Sequence, residues 1–188
     1  EYVITVDVSR GVQSDYSAFI VFDATKMPYH VVAKYRNNEI KPLLFPNIIE
    51  HAAKLYNHAH TLIEVNDIGG QVADAMQFDL EYDNLMMTTQ RGRAGQILGA
   101  GFSGRGSSLG VRMTKSLKKI GCSNLKTLIE SDKLITKDFH TIQELSTFIK
   151  KHNTWAAEEG CNDDLVTCLV IFGWLSNQPY FKELTDTD

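Results

Sequence analysis

Short β-branched runs separated by turn-forming residues occupy the first part of the chain. The runs at residues 3–8, 17–24 and 29–36 have the length and composition of strands. Only turn-rich segments connect them. Three strands in immediate succession predict an antiparallel meander.

The pattern then changes to an alternation of helical and strand periodicity. Apolar residues at helical spacing, after Pro46, predict a helix over 45–57. The remaining predictions are strands at 60–66 and 84–89 and helices at 68–81, 111–134 in two parts, 141–152 and 164–175. Strands that alternate with helices indicate parallel additions to the meander. The predicted fold is therefore α/β, a mixed sheet flanked by helices.

A glycine-rich stretch interrupts this pattern. Residues 90–110 hold seven of the 13 glycines and have no apolar periodicity. Such composition predicts a flexible insertion or a long hairpin rather than a core element.

Composition indicates a single globular domain. The chain has 188 residues, 43% of them hydrophobic and 22% charged. It begins with Glu1 rather than Met, and we expect it to be a fragment of a larger protein. No apolar run is long enough to span a bilayer. The cysteines Cys122, Cys161 and Cys168 form no CxxC pair, which predicts free thiols and no zinc site.

Charge is unevenly distributed over the chain. The formal net charge is −4, yet residues 90–119 contain only cations among their charged residues. These cations are Arg91, Arg93, Arg105, Arg112, Lys115, Lys118 and Lys119. A basic island on an acidic body indicates a local contact with a polyanion. An idle surface insertion is the alternative interpretation.

Three acidic residues lie at the ends of predicted elements. Asp7 lies near the end of the first strand, Glu64 lies near the end of the fourth strand, and Asp164 opens the last helix. If the fourth strand lies beside the first and parallel to it, both strand carboxylates reach one sheet edge, where α/β proteins place functional sites. Asp164 shares its helical face with apolar residues, which directs it toward the sheet, but the face of Asp163 is also apolar, so the periodicity favours Asp164 only slightly.

Each acid also has an ordinary structural explanation. An aspartate in the first turn of a helix, such as Asp163 or Asp164, usually interacts with the helix dipole, here after Asn162 as the expected N-cap. A glutamate at a strand end, such as Glu64, is usually solvated. Asp7 is harder to explain, because a carboxylate within a central β-branched strand loses its hydration.

Converging carboxylates require a compensating cation. Oxygen ligands without cysteine or histidine select Mg²⁺ or Mn²⁺. Two such ions about 3.5–4 Å apart catalyse phosphodiester hydrolysis without a protein nucleophile. The predicted activity is therefore metal-assisted hydrolysis of a phosphodiester.

Four segments carry a resemblance to a known family: "VDVSRGVQSDY", "LIEVNDIGGQVAD", "GCSNLKTLIESDKL" and "WAAEEGCNDDLVTCLVIFGWL". Together they resemble the C-terminal nuclease domain of the large terminase subunit of T-even-like bacteriophages, within the ribonuclease H-like superfamily. That subunit packages and cuts viral DNA. The resemblance covers nearly the whole chain, although the basic glycine-rich loop looks like an insertion.

The resemblance implies roles for individual residues. The metal-binding triad of the family matches Asp7, Glu64 and Asp164, with Asp163 as a supporting residue. A functionally sensitive acid after the first strand matches Asp15, which is otherwise a turn-forming aspartate. The implied cofactor is Mg²⁺ or Mn²⁺, in two copies.

The resemblance also implies partners and a location. The substrate would be double-stranded DNA, and in the full-length protein the partners would be the packaging ATPase domain, the capsid portal and the small terminase subunit. The location would be the host bacterial cytoplasm, at the procapsid portal. This chain has no GxxxxGK[ST] motif, because Thr114 precedes Lys115 where the motif requires glycine, so we expect no ATP hydrolysis.

Two alternative functions stay open at this point. A junction resolvase of the same fold would prefer branched DNA and act as a dimer. A DNA-binding or motor-docking module would carry the acids without catalysis.

Overall fold

The computed structural model describes residues 1–11, 15–100 and 106–185. These residues form ten strands and six α-helices. The strands are β1 (Tyr2–Asp7), β2 (Ser17–Asp23), β3 (Tyr29–Asn37), β4 (His60–Ile63), β5 (Met86–Arg91), β6 (Gly95–Ala100), β7 (Ser107–Leu109), β8 (Leu134–Ile135), β9 (Phe148–Lys151) and β10 (Thr154–Ala157). The helices are α1 (Phe45–Leu55), α2 (Gly69–Asp74), α3 (Lys115–Glu130), α4 (Phe139–Ser146), α5 (Asp164–Leu175) and α6 (Pro179–Thr185).

The main sheet has five strands in the order β4-β1-β2-β3-β8. β1, β2 and β3 pair antiparallel, as the meander prediction requires. β4 pairs parallel with β1, with Val6 opposite Ile63, and β8 pairs parallel with β3. The predicted mixed sheet is confirmed.

Helices cover both faces of this sheet and create two hydrophobic cores. α1 and α2 pack on one face, where Ile49 and Val72 are fully buried. α3, α5 and α6 pack on the other, where Phe172 of α5 stacks on Phe22 of β2 with ring centroids 3.9 Å apart. α5 is apolar almost all round, because a helix between a sheet and another helix has little solvent-facing surface. In the residues with described positions, no helix has both the length and the apolar character that a membrane span needs.

The described residues of the glycine-rich stretch form strands. β5 pairs with β6 as a hairpin, and β7 pairs with the other edge of β5. Of the two predicted alternatives, a flexible insertion and a long hairpin, the structure shows a hairpin. The expectation that this segment is not a core element is wrong. Leu98 of β6 is 4% exposed within the core under α5, and its backbone N–H donates to Oε1 of Gln178 at 3.2 Å. Arg105 lies outside the described residues.

The helix predicted over 141–152 is wrong in its second half. α4 ends at Ser146, and the following residues form the β9–β10 hairpin, whose turn includes His152 at a φ of 52°. Asp138 caps α4, because its Oδ2 accepts from the Thr141 backbone N–H at 2.8 Å. Residues 111–134, predicted as helical in two parts, contain the single helix α3.

Two glycines allow α3 and α5 to approach closely. A Cβ on Gly121 would lie 2.5 Å from the carbonyl oxygen of Val170, and a Cβ on Gly173 would lie 2.5 Å from that of Gly121. Both distances are far below van der Waals contact, and the obstructing atoms are backbone. The close contact requires glycine at both positions.

We therefore expect Gly173→Ala to destabilise the protein although alanine is the better helix former. Overpacking costs about 1–3 kcal/mol, and each kcal/mol lowers Tm by about 2–4 °C at this chain length. Thermal denaturation measures the change. Gly70→Ala in α2 is the matched control, because its Cβ would meet its nearest neighbour, the Val65 carbonyl oxygen, at an ordinary 3.8 Å. An unchanged Tm for Gly173→Ala would contradict the close-approach explanation.

Candidate metal centre

The parallel pairing of β1 and β4 brings Asp7 and Glu64 together. Asp7 ends β1, and Glu64 follows Ile63, whose partner across the sheet is Val6. The two side chains lie close enough for each to act on the pKa of the other. Two neighbouring carboxylates repel each other when both are ionised. In the absence of a cation, their proximity therefore favours the protonated form of one of them.

Backbone contacts on both sides fix Glu64. Its N–H donates to the Val6 carbonyl at 3.0 Å, and the Val65 N–H donates to the Val111 carbonyl at 2.9 Å. Gly69 at the start of α2 packs so closely that a Cβ there would lie 1.8 Å from the Glu64 carbonyl oxygen. The position of Glu64 is thus set by the sheet and by a glycine that no other residue can replace without a shift.

Asp164 is the first residue of α5 and reaches the same edge from the helix layer. Its side chain is 8% exposed, and Oδ1 accepts from the Tyr16 backbone N–H at 3.3 Å. α5 is anchored to the sheet by Thr5, whose hydroxyl donates to the Cys168 carbonyl at 2.8 Å. The sheet and α5 together therefore set the direction in which Asp164 points.

Burial and mutual repulsion raise the pKa of all three carboxyl groups. Desolvation is the main cause of the raised pKa of Asp7, followed by the charges of Glu64, Asp164 and Asp163. Desolvation also raises the pKa of Glu64, although the hydrogen bond from Asp7 and the nearby Lys118 oppose the shift. Desolvation, with the charge of Glu144 next in size, raises the pKa of Asp164 to about 7.

This donor set has the chemistry of a hard divalent cation site. The three residues offer only carboxylate oxygens, and their raised pKa values indicate a position where a cation would be stabilised. Among the described residues, no group of three or more His, Cys, Asp or Glu side chains is arranged so that it could hold a metal ion. Asp7 and Glu64 are neighbours at the sheet edge, and the charge of Asp164 acts on Asp7.

The two supporting acids have different surroundings. Asp163, rather than Asn162, precedes α5 directly, but its Oδ2 accepts from the Ala157 N–H at the end of β10, at 3.2 Å, instead of capping the helix. Asp15 is exposed, and its charge contributes to the raised pKa of Asp164. Asp163 thus ties the hairpin to α5, and Asp15 lies near the carboxylates.

The predicted basic residues divide into two groups. Lys115, Lys118 and Lys119 in the first turns of α3 line a cavity of about 330 Å³ together with Lys150 and Trp155 of the β9–β10 hairpin. The charge of Lys118 also lowers the pKa of Glu64, which places this group beside the carboxylates.

The second group lies on the β5–β7 sheet and the segment after it. Arg91 and Arg93 are exposed at the turn between β5 and β6. Arg112 is exposed, and its backbone pairs with the side chain of Gln96.

Sequence reasoning missed two residues around Asp164. Glu144 of α4 is 4% exposed and accepts from the Leu165 and Val166 backbone N–H groups at 2.7 and 3.1 Å. Arg36 of β3 donates to its other oxygen at 3.0 Å. The spacing between Thr141 and Glu144 in the sequence is that of a capping box within one helix, and nothing local indicates that Glu144 caps a different helix.

The raised pKa values predict a pH dependence of stability. The folded protein holds the Asp164 proton more tightly than the unfolded chain, whose reference pKa is 3.8. The resulting stabilisation is complete below that value and is lost as the pH rises through about 7. Asp7 and Glu64 act in the same direction.

We therefore expect the Tm of the metal-free protein in EDTA to fall from about pH 5 to about pH 8. Differential scanning calorimetry measures this slope, and Asp164→Asn should flatten it. A Tm that rises over this range would contradict the proposed protonation of the cluster.

Comparison with known proteins gives consistent matches. The model of the Terminase RNaseH-like domain family matches residues 4–178. Among solved structures, the large terminase nuclease from thermophilic phage G20c with bound cobalt has a TM-score of 0.66 at 20% identity, over 92% of this chain and 79% of that one. The same nuclease with bound magnesium has a TM-score of 0.68 at 18% identity, over the same shares of the two chains. The Thermus phage P74-26 large terminase nuclease domain has a TM-score of 0.63 at 18% identity, over 90% and 76%.

Proposed function

Because this chain belongs to the Terminase RNaseH-like domain family, we propose that it is a metal-dependent DNA endonuclease that cuts concatemeric viral DNA during genome packaging. The convergence of Asp7, Glu64 and Asp164 at one sheet edge carries the proposal. The family match supports the resemblance seen in the sequence, and the T-even branch of that resemblance stays a prediction.

The cofactor of the proposed reaction is Mg²⁺ or Mn²⁺. Magnesium and cobalt are bound in the G20c nuclease, which shares this fold. Asp7, Glu64 and Asp164 would hold the metal, two ions in the proposed mechanism, through the carboxylate oxygens that hard cations prefer. The bound ions would polarise the scissile phosphate and provide a nucleophilic water at neutral pH.

The chain's own residues control the charge of this centre. Asp7 and Glu64 must both be ionised before both carboxylates are free to bind a cation. Lys118 favours the ionisation of Glu64, because its charge lowers the pKa of that residue. The hydrogen bond from the Tyr16 N–H stabilises the ionised form of Asp164.

Binding of double-stranded DNA would use the basic residues. Lys115, Lys118 and Lys119 form one cationic wall beside the carboxylates. Arg91, Arg93, Arg105 and Arg112 would extend the contact, and phosphate contacts of this kind are insensitive to base sequence. The packaging ATPase domain, the capsid portal and the small terminase subunit would be the partners, in the host cytoplasm.

Cleavage of a supercoiled plasmid with Mg²⁺ or Mn²⁺, against the same reaction in EDTA, tests the proposal. We expect linear and nicked products only with metal. A preference for four-way junctions over linear duplex would favour the junction resolvase. DNA binding without cleavage under any divalent ion would favour the docking module and contradict the proposed activity.

A further inference from the structure

Glu144 occupies the N-terminus of α5 in place of a local cap. The N–H groups at the start of a helix have no partner within the helix, and a side chain of the adjoining residues normally accepts from them. Here Asp163 is engaged with Ala157 of the hairpin, and the carboxylate of Glu144 accepts from Leu165 and Val166 instead. The cap of α5 therefore comes from another helix.

This arrangement matters because Asp164 could otherwise cap its own helix. An acidic side chain in the first turn of a helix is attracted to the unpaired N–H groups there by the helix dipole. If Asp164 turned back onto Leu165 and Val166, its carboxylate would leave the edge where Asp7 and Glu64 lie. Glu144 occupies those donors, so the Asp164 carboxylate stays available.

Arg36 holds Glu144 in this position and connects it to Tyr16. The guanidinium donates to Oε1 of Glu144, while Oε2 accepts the two backbone N–H groups, so both oxygens are engaged. Glu144 is therefore no spare metal ligand. The same guanidinium lies over the ring of Tyr16, 4.5 Å from its centroid, and the Tyr16 N–H donates to Oδ1 of Asp164.

We infer that Glu144 and Arg36 are positioning residues that keep the carboxylate of Asp164 directed at Asp7 and Glu64. Arg36 contacts both residues that hold Asp164 in place. These are Glu144, which caps the helix that Asp164 begins, and Tyr16, whose N–H donates to the Asp164 side chain. The inference rests on the proposed function, since it assumes that this carboxylate binds metal. Neither residue contacts the reacting atoms.

The test measures Mn²⁺ affinity by electron paramagnetic resonance, without DNA, for the wild type, Glu144→Gln and Arg36→Met. Loss of a group that orients a ligand typically weakens metal binding about 10–100-fold. We expect a loss in this range for both variants. Saturating Mn²⁺ should restore most of the cleavage rate, because the ligands themselves are intact.

Lys34→Met is the matched control. Lys34 neighbours Arg36 on β3 and pairs with Asp138 of α4 at 2.8 Å, across the same strand–helix interface. The side-chain hydrogen bonds and ion pairs described for these two residues are with α4 and with each other, so the loss of the pair should lower Tm without weakening Mn²⁺ binding. If Lys34→Met loses as much Mn²⁺ affinity as Arg36→Met does, Arg36 has only a general structural role. That result would overturn the inference.

The remaining outcomes separate the two proposals. In one outcome, the wild type binds Mn²⁺ and cleaves DNA, while Glu144→Gln and Arg36→Met keep the same Mn²⁺ affinity as the wild type. That result would overturn the positioning role and leave the proposed function standing. A wild type that binds no Mn²⁺ would overturn the proposed function as well. If Glu144→Gln does not fold, Arg36→Lys is measured in its place. This variant keeps the positive charge but loses the planar stacking on Tyr16. A loss of Mn²⁺ affinity between that of the wild type and that of Arg36→Met supports the inference.

Discussion

Replacing Glu64 with glutamine should abolish metal-dependent DNA cleavage while it stabilises the metal-free protein. The substitution removes one carboxylate ligand, and metal catalysis contributes several kcal/mol, which at about 1.4 kcal/mol per factor of ten is on the order of a thousand-fold in rate. The glutamine amide can donate to the neighbouring Asp7 carboxylate, which an ionised glutamate cannot do. The like-charge repulsion that opposes ionisation of the pair then disappears.

Three measurements check this expectation. Plasmid cleavage in Mg²⁺ should fall to the background of the EDTA reaction, Mn²⁺ affinity should fall with it, and Tm in EDTA at about pH 8 should rise. Asp7→Asn should behave in the same way. Glu130→Gln is the control, because this exposed glutamate of α3 pairs only weakly with Lys126 at 3.7 Å. Near-normal cleavage by Glu64→Gln would exclude Glu64 as a required ligand.

Removing Lys115 and Lys119 should weaken DNA binding about 50-fold at 0.1 M salt. Each phosphate contact contributes a slope of about −0.9 to the logarithm of the affinity against the logarithm of the salt concentration, so two contacts account for nearly two orders of magnitude. Lys118 is kept in this variant, because it acts on Glu64 and lies over the ring of Phe148 at 5.9 Å. Metal affinity should therefore be unchanged.

Fluorescence anisotropy with a labelled duplex, in Ca²⁺ over a range of salt concentrations, measures the affinity and its slope. Lys126→Ala with Lys133→Ala is the matched control, because it removes the same charge at the far end of α3 and just beyond. Equal losses in both variants would contradict a specific lysine surface and indicate a general charge effect.

The arginines are tested separately with Arg91→Ala, Arg93→Ala and Arg105→Ala combined. If these arginines contact DNA phosphates, the combined variant should bind every duplex sequence more weakly, and the dependence of its DNA affinity on salt concentration should be less steep. Unchanged affinity and slope would show that DNA contacts the lysine side alone.

The order of elements and the acids at strand ends could be predicted from the sequence because both are local properties. Period-two and helical patterns identify strands and helices, and short connections make successive strands neighbours. The predicted parallel pairing of β4 with β1 is confirmed, and it makes Asp7 and Glu64 neighbours. The choice between Asp163 and Asp164 was only weakly indicated, because α5 is apolar on nearly every side.

The β9–β10 hairpin could not be read in this way. Its first strand continues the helical spacing of α4, and the pairing with β10 decides its conformation. Tertiary contacts overrode the local pattern, as they often do for short strands.

The sequence by itself determined which residues could form the candidate site: three carboxylates at the ends of two strands and one helix, and a basic stretch between the second and the third of them. The tertiary structure alone decided how those residues are held. Glu144 caps a helix that begins 20 residues later, and Arg36, more than 100 residues earlier, neutralises it. A buried charge is stable only with a partner, and the partner of Glu144 is brought to it by the packing of α4 against β3, which no local pattern encodes.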